Sequence, residues 1–585
     1  MRRIREFLAG YGGPVFLTGA FLALAAWHYL ETRTGAAASG SLWLCGMYLR
    51  LFFVLAAVIA AGGFLLWVNR GRERRAETPG KKGKLLRIVS LPETIALFLT
   101  LSFGGIYTTV LPPLSAPDEI SHFMSAYAVS NRIMGKEAFD EHGYVRVRVQ
   151  DDALENIYGA SGDQERISLG RKVDQETYRI IYGGQKTGGQ EGSSGSPNGG
   201  SGISGAGTFA GDGSAAGGQN SLSGSADGMI SSVYGEVRTT PLAYLPQALG
   251  ITAGRLLGLD WRALAFLGRA FNLVFFGIAV FFSVRLLPFG KWALCGVSLL
   301  PMTLHLAASY SYDAFVMGLC FLFASYCLYL AYKKERVCAN DIAILAVLMA
   351  ALGPCKMIYS VVMGFALLIP VKKFGGRRQW VLSAVAVLFA FAAAMIIVNR
   401  TTISTYAGGE ETYLEWAGEA SYTLPFVLHN PVKYGKIVYE TVVRLGEEWY
   451  FTMLGSKLGN LDPVLSVPFF VTAGMTACLL GLGIRRGGEQ VFFGPVQKIW
   501  IWILAGVCLL GLMTAMLIGW TPVSSQVIDG VQGRYLLPFL PFALMTLKSG
   551  RLVRTDGNDQ RILYYMCLMN GYAVLRLFSI VSLRL

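Results

Sequence analysis

Two adjacent acids and a histidine lie close together near residue 120. Asp118, Glu119 and His122 belong to the segment Pro117-Asp-Glu-Ile-Ser-His122. At spacings of three and four residues, their side chains can project toward one place at the start of a helix. A carboxylate pair there can take a proton from a hydroxyl nucleophile, or hold a divalent cation beside a phosphate leaving group. Asp118 and Glu119 are therefore candidate catalytic residues, His122 is a candidate substrate-binding residue, and all three are candidate ligands for Mg²⁺ or Mn²⁺.

The same spacing also has a purely structural interpretation. Ser115 and Asp118 fit a capping box with Ser115 as the N-cap residue, and acidic residues favour the first turn of any helix through its dipole. A single histidine such as His122 more often packs or lies at a surface than binds a ligand. The spacing alone leaves both interpretations open.

A helix is predicted to carry these residues. From Asp118 to Met134 the apolar side chains recur at the spacing of one helical face, and Gly135 is a plausible stop. The pattern predicts an amphipathic helix that lies along the outer membrane surface.

The composition excludes a soluble enzyme. Of the 585 residues, 53% are hydrophobic and 15% are charged, whereas soluble domains carry about a quarter charged residues. Apolar runs near the length needed to cross a bilayer predict an all-α polytopic membrane protein with about 13 transmembrane helices. The predicted spans lie near 15–31, 43–68, 89–110, 262–284, 292–308, 313–332, 341–353, 357–371, 379–398, 464–484, 498–519, 535–547 and 562–583.

The positive charge is arranged for a membrane rather than for nucleic acid. The formal net charge is +14, and Lys and Arg collect in short loops such as 70–87, 333–336 and 372–378. The positive-inside rule puts these loops, and the N-terminus, in the cytoplasm. We therefore expect membrane lipids and no nucleic acid among the partners.

This topology puts three more charged residues at the outer ends of spans. They are Asp313, Lys356 and Arg534. Charged residues at such positions usually face a partner or a water-filled cavity, and Lys and Arg suit a phosphate group. All three are candidate substrate-binding residues beneath Asp118, although snorkelling and topology anchoring explain Lys356 and Arg534 equally well.

Long polar segments divide the chain. We predict an N-terminal two-helix hairpin and basic cytoplasmic loop at 1–88, a transmembrane core at 89–398 with an outer loop at 112–261, a second outer segment at 399–463, and C-terminal transmembrane helices at 464–585. Within the first outer loop, residues 184–229 are mostly Gly, Ser, Ala and Asn. They have too little apolar surface to offset their ordering entropy, so we predict a disordered insert.

Several motifs in order resemble a known family. They are Pro117-Asp-Glu-x-x-His122, Pro241-Leu-Ala-Tyr-Leu-Pro-Gln-Ala-Leu-Gly250, Gly268-Arg-Ala-Phe-Asn-Leu273, Ser311-Tyr-Asp-Ala314, Lys356 and Gly533-Arg-Tyr-Leu-Leu-Pro538. From roughly Val89 to the C-terminus, the chain looks like the DUF2142 bacterial multi-pass membrane proteins, which are grouped with GT-C glycosyltransferases. The acidic pair, however, usually follows the first span in GT-C enzymes and follows the third here.

The resemblance implies a GT-C-like core in the bacterial plasma membrane and a polyprenyl-phosphate sugar donor. Asp118 and Glu119 would occupy the acidic-motif positions, and transfer would occur on the outer face with inversion. The predicted function is a glycosyltransferase acting on an envelope glycan or lipid acceptor. The alternatives are a transporter or flippase of a lipid-linked saccharide, or a non-catalytic partner in polysaccharide assembly. The oligomeric state stays undetermined.

Overall fold

The computed structural model describes residues 2–72, 88–154, 173–183, 228–237, 239–407, 412–554 and 558–584, with backbone alone at 2–11, 72 and 401–407. The insert predicted to be disordered, 184–229, lies outside the described residues except for its last two. Most of the basic loop 70–87 also lies outside them.

The described chain is mostly helical. The α-helices are α1 Arg2–Ala38, α2 Trp43–Arg72, α3 Pro92–Val110, α4 Glu119–Ile133, α5 Gln175–Tyr182, α6 Leu245–Leu256, α7 Trp261–Leu286, α8 Lys291–Ser298, α9 Pro301–Ala307, α10 Asp313–Tyr332, α11 Ala339–Cys355, α12 Arg377–Ala407, α13 Leu424–His429, α14 Pro431–Leu454, α15 Phe469–Gly483, α16 Pro495–Trp520, α17 Leu540–Met545 and α18 Asp559–Leu583. Short 3₁₀ helices occupy Val149–Leu154, Pro241–Tyr244, Met357–Leu368, Val371–Phe374 and Gly533–Leu536.

Eight helices in the described ranges are long and apolar enough to cross a membrane. They are α1, α2, α3, α7, α10, α12, α16 and α18, with α1 counted from Gly12, α2 ending at Gly71 and α12 ending at Arg400. The membrane assignment is therefore confirmed for eight segments. The other five predicted spans coincide with shorter helices, such as α11 and α15, or with broken pairs, such as α8 and α9, so the count of about 13 stays a prediction.

Short strands interrupt the helical architecture, so the fold is not strictly all-α. The pairs β1 Arg146–Arg148 with β2 Met229–Ser231, β3 Tyr413–Leu414 with β4 Glu419–Ala420, and β5 Lys457–Leu458 with β6 Asp462–Ser466 are antiparallel. The pair β7 Arg485–Arg486 with β8 Val553–Arg554 is parallel. The first pair joins the two ends of the long outer loop, because β1 precedes the Gly/Ser-rich insert and β2 follows it.

The N-terminal helices α1 and α2 pack against the last helix, α18. Thr18 and Tyr564 share a hydrogen bond of 2.9 Å, Ser579 donates to Glu31, and Tyr48 packs edge-on against Phe578. The two N-terminal helices are thus in contact with the last helix. The separate N-terminal unit and its boundary at residue 88 stay predictions.

The helix that carries the acidic motif is α4. It runs from Glu119 to Ile133 and is followed by Gly135 at φ +66°, as the sequence predicts. The helix is not an open surface helix of the predicted kind, because Ser130 and Asn131 are buried with the apolar residues. Thr252 of α6 donates to Ser130, and Arg255 donates to Asn131. Neighbouring parts of the outer loop therefore cover α4.

Candidate active site

Asp118 is the residue immediately before α4, and its backbone has an unusual conformation. Its φ of +56° and ψ of +20° lie in the left-handed region, which only Gly, Asn and Asp visit with any frequency. The carboxylate caps no backbone N–H of the helix and accepts no hydrogen bond from the described part of the chain. The side chain is 19% exposed, so an incoming hydroxyl group can reach it.

Arg534 is the nearest cation to this carboxylate. Its Nη2 lies 3.9 Å from Asp118 Oδ2, and its Nε lies 3.2 Å from Asp313 Oδ2. The guanidinium is only 4% exposed, yet Nε and Nη1 have no aligned hydrogen-bond partner among the described residues. A buried donor left unpaired is costly, so these two N–H groups are prepared to bind an acceptor.

The backbone at Gly533 fixes the position of Arg534. A Cβ atom on Gly533 would lie 1.9 Å from the carbonyl oxygen of Trp449 and 2.6 Å from the amide nitrogen of Met453, both in α14. Only glycine allows the 3₁₀ helix Gly533–Leu536 to approach α14 this closely. The second outer segment, which contributes α14, therefore holds one of the candidate phosphate ligands in place.

Asp313 links Arg534 to Lys356. Its Oδ1 accepts a hydrogen bond of 3.2 Å from Lys356 Nζ, while its Oδ2 faces Arg534. The ammonium of Lys356 also lies 4.0 Å from the ring centroid of Tyr535, with Tyr312 at 5.5 Å. The structure thus brings together four predicted site residues: Asp118, Asp313, Lys356 and Arg534. We call them the Asp118 cluster.

Glu119 points away from this cluster. It is 1% exposed, its Oε2 accepts a hydrogen bond from Ala116 N, and its Oε1 accepts one from Tyr310 N. Arg269 Nε lies 3.6 Å from Oε1, and the same guanidinium donates to the carbonyls of Thr108, Leu111 and Ala308. The Glu119–Arg269 pair therefore ties the end of α3 to the start of α4 and the end of α9. The structure does not bring Glu119 into the Asp118 cluster, because its oxygens accept from backbone donors, and its catalytic role stays a prediction.

The capping box that the sequence suggests is also wrong in detail. The hydroxyl of Ser115 donates to the carbonyl of Pro112 and does not cap α4. The acid that stabilises the first turn is Glu119, through its bond to Ala116 N. Of the two adjacent acids, Glu119 thus has the structural role at the start of the helix, and Asp118 remains the candidate for the chemical role.

His122 lies beside the cluster as a neutral side chain. Its Nδ1 is 2.7 Å from the hydroxyl of Tyr244, and its ring packs edge-on against Tyr312 at 5.2 Å. Burial lowers the pKa of His122 to about 3, and the nearby cations Arg534 and Lys356 add to this effect. Burial conversely raises the pKa of the Asp118 carboxyl above its usual value, while Arg534 opposes the rise.

The three suggested metal ligands do not form a metal site. In the described ranges, no group of three or more His, Cys, Asp or Glu side chains could hold a metal ion. Asp118, Glu119 and His122 are dispersed because Glu119 faces Arg269 and His122 faces Tyr244.

Two aromatic residues of the site escaped the sequence analysis. Tyr312 and Tyr535 flank the ammonium of Lys356. Each adjoins a charged candidate in the chain, Asp313 and Arg534 respectively. That adjacency, and their place in the motifs Ser311-Tyr-Asp-Ala314 and Gly533-Arg-Tyr-Leu-Leu-Pro538, are signals that could have indicated them.

The fold and site define a helical membrane protein with a cluster of two acids and two bases at one end of its helices. A family model described as a predicted membrane protein (DUF2142) matches residues 214–543, more than half of the chain. The chain belongs to this family. No curated protein and no solved structure matches it at a significant level.

The matched region includes Asp313, Lys356 and Arg534 but begins after Asp118, Glu119 and His122. The match is therefore shorter than the resemblance from Val89 onward predicts. The family shows a membrane protein, and its description gives no reaction.

Proposed function

We propose that the chain is a membrane glycosyltransferase with a GT-C-like core, and that it transfers a sugar from a polyprenyl-phosphate donor to an envelope glycan or lipid acceptor. The observation that carries the proposal is the arrangement around Arg534. Arg534 Nε and Nη1 are buried without an aligned hydrogen-bond partner in the described part of the chain, although Nε faces Asp313 Oδ2 at 3.2 Å. The uncapped carboxylate of Asp118 lies 3.9 Å from the same guanidinium. This places an anion-binding group next to a base.

The proposed reaction uses these groups in one displacement. The Asp118 carboxylate takes the proton of an acceptor hydroxyl as that oxygen attacks the anomeric carbon. The bond between the anomeric carbon and the phosphate oxygen breaks with inversion, and the lipid phosphate leaves with the bonding electrons. Arg534 stabilises the charge that develops on that phosphate. One well-placed donor of this kind contributes about 3 to 4 kcal/mol.

Asp313 and Lys356 have supporting roles in this proposal. Asp313 contacts both cations, at 3.2 Å from each, so it holds them at a fixed separation. Lys356 is 18% exposed, and Tyr535 lies beneath its ammonium. It can therefore contact the phosphate of the donor while Asp313 and the ring keep it in place.

The test is a transfer assay in liposomes. Purified protein is given a radiolabelled polyprenyl-phosphate sugar and candidate acceptors, with and without a chelator to determine whether Mg²⁺ or Mn²⁺ is required. We expect Asp118→Asn to reduce transfer by about 10² to 10⁴-fold, since it removes a general base. Asn accepts the left-handed backbone, so the variant should fold normally.

The matched control is Glu447→Gln, which removes an exposed carboxylate from the second outer segment. It should leave transfer unchanged. Transfer that persists in the Asp118→Asn variant would show that Asp118 is not the base. Absence of transfer with all donors would count against an enzymatic function.

One observation favours transport as a second candidate function. The segment Lys291–Ala307 is interrupted between α8 and α9 at Leu299 and Leu300, and broken helices often form substrate sites in transporters. In the same liposomes, movement of the labelled lipid across the bilayer without product would support this function.

A further inference from the structure

A second charged site lies at the other end of the helices. A cavity of about 620 Å³ is bordered by Pro92, the first residue of α3, and by Asp559, the first residue of α18. The far end of α3, Val110, leads directly to the loop that carries Asp118. A helix of this length spans about 28 Å at 1.5 Å per residue, so the cavity is remote from the Asp118 cluster. We call it the Lys291 cavity.

The charges that line this cavity leave one cation in excess. Lys548 donates to Glu489 at 2.8 Å. Asp559 pairs with Arg554, which lies outside the wall, and contacts Arg486 at 3.5 Å. The remaining charged side chain of the wall is Lys291. Its ammonium donates no hydrogen bond to the described residues, and its ion-pair contact with Glu93 is 3.7 Å long.

Glu93 does not satisfy Lys291. The Oε2 atom that faces Lys291 is itself buried without a hydrogen-bond partner in the described part of the chain. The side chain of Lys291 is 27% exposed, so it can turn toward a ligand in the cavity. The helix α8 also begins at this residue, which places the positive end of its dipole at the cavity wall.

The backbone keeps the cavity open. Gly487 and Gly488 form part of the wall and add no side chains. Gly290 has a φ of +70°, and a Cβ there would lie 2.5 Å from Met545. Glycine is therefore required where the chain turns from α7 into α8.

The other side chains of the wall are apolar except for that of Asn69. Phe289, Trp292 and Leu482 line the cavity beside the charged groups. A ligand with an anionic head and an apolar tail would suit this combination of charged and apolar side chains. Basic pockets between transmembrane helices are known to bind lipid headgroups. The positive-inside rule predicts that this end faces the cytoplasm, where anionic lipids collect.

We propose that the Lys291 cavity binds a phosphate group, supplied by the headgroup of an anionic membrane lipid, with Lys291 as the main contact. The inference does not depend on the proposed glycosyltransferase activity. A soluble phosphate compound shares the same chemistry and is distinguished by the experiment.

The experiment measures lipid retention by native mass spectrometry. Detergent-purified full-length protein is offered equal amounts of phosphatidic acid and phosphatidylcholine with the same acyl chains. We expect the protein to retain phosphatidic acid selectively, and Lys291→Gln to weaken this retention about tenfold, as befits one charge-assisted hydrogen bond. The matched control is Lys372→Gln, which removes an exposed lysine outside the cavity and should change retention by less than about twofold.

A parallel arm adds inorganic phosphate. If phosphate binds through Lys291 while phosphatidic acid has no advantage over phosphatidylcholine, the phosphate site is supported and its ligand is soluble. If neither compound depends on Lys291, or if both variants lose retention equally, the proposal is wrong.

A labelling measurement covers the case in which Lys291→Gln does not fold. The wild-type protein is treated with an amine-acylating reagent with and without phosphatidic acid, and modification is quantified by peptide mass. Phosphatidic acid or phosphate should protect Lys291 and leave Lys372 unchanged. Equal acylation of Lys291 under all conditions would overturn the proposal.

Discussion

Asp118 and Glu119 are neighbours in the chain, yet they belong to two different charged regions. In the Asp118 cluster Asp118, Asp313 and Lys356 are partly exposed, and the buried guanidinium of Arg534 has two nitrogens without an aligned hydrogen-bond partner in the described part of the structure. In the Glu119–Arg269 pair both side chains are fully buried. Glu119 accepts hydrogen bonds from backbone N–H groups, and Arg269 donates hydrogen bonds to backbone carbonyls.

The difference shows how one motif can serve structure and chemistry at once. A fully buried carboxylate whose oxygens accept from backbone N–H groups is out of reach of a substrate hydroxyl, so Glu119 stabilises the fold. A carboxylate held beside an unsatisfied guanidinium retains its capacity to react. Burial and hydrogen-bond satisfaction therefore separate the two acids better than their positions in the sequence do.

The largest expected effect separates the two regions by stability. Glu119→Ala leaves Arg269 buried without its partner, so we expect the free energy of unfolding to fall by about 3–5 kcal/mol. Asp118→Asn removes a longer, partly exposed contact, keeps a residue that tolerates the left-handed backbone, and should change it by less than about 1 kcal/mol. Denaturant titration of both variants in the same detergent measures the two values.

An equal loss of unfolding free energy in the two variants would contradict this comparison of the two charged regions. It would mean that Asp118 is also a structural residue, and the activity of Asp118→Asn would then have to be corrected for the unfolded fraction.

A smaller effect is expected when Arg534 keeps its charge but loses its planar group. Arg534→Lys removes the paired N–H donors that can bind a phosphate. We expect kcat to fall by about 10² to 10³-fold, the effect of losing one oxyanion donor, while the unfolding midpoint stays close to that of the wild type. Transfer kinetics at saturating donor measure this change. An unchanged kcat would show that Arg534 only pairs with acids.

The smallest expected effect is a shift in the pH dependence of transfer. Because burial raises the pKa of the Asp118 carboxyl, the base becomes protonated, and kcat/KM should decline, at a pH above the ordinary carboxyl range. Arg534 opposes that rise, so Arg534→Gln should move the acidic midpoint to higher pH in its residual activity. A pH–rate profile of each variant gives the midpoints.

His122 provides the control for this profile. Its pKa of about 3 keeps it neutral above pH 5, so His122→Gln should not move the acidic midpoint. A midpoint that disappears in this variant would identify His122, rather than Asp118, as the titrating group.

The sequence could predict the membrane class and much of the Asp118 cluster. Asp313, Lys356 and Arg534 were found because charged residues at the ends of apolar spans are rare, and the positive-inside rule put all three at one level. It could not predict that Glu119 turns away. That orientation depends on Arg269 and on the backbone of Tyr310, which lie about 150 and 190 residues further along the chain.

The broken and short helices limited the fold prediction for a related reason. Hydropathy detects a span from its own residues, but α8 and α9 are individually too short to cross a membrane. Their ends are held by contacts with other helices, such as the bond from Arg269 to Ala308. The same dependence on distant contacts explains why the sequence predicts a surface helix at α4, whose polar residues Ser130 and Asn131 are covered by α6.

The left-handed backbone at Asp118 restricts which residues can ever occupy this position. Glutamate would preserve the negative charge, but its longer side chain gives no local compensation for a positive φ, whereas aspartate, asparagine and glycine tolerate it. Of these three, only aspartate is an acid. A substitution at residue 118 would therefore lose either a residue suited to the left-handed backbone or the carboxylate. Few single substitutions at this position would keep both.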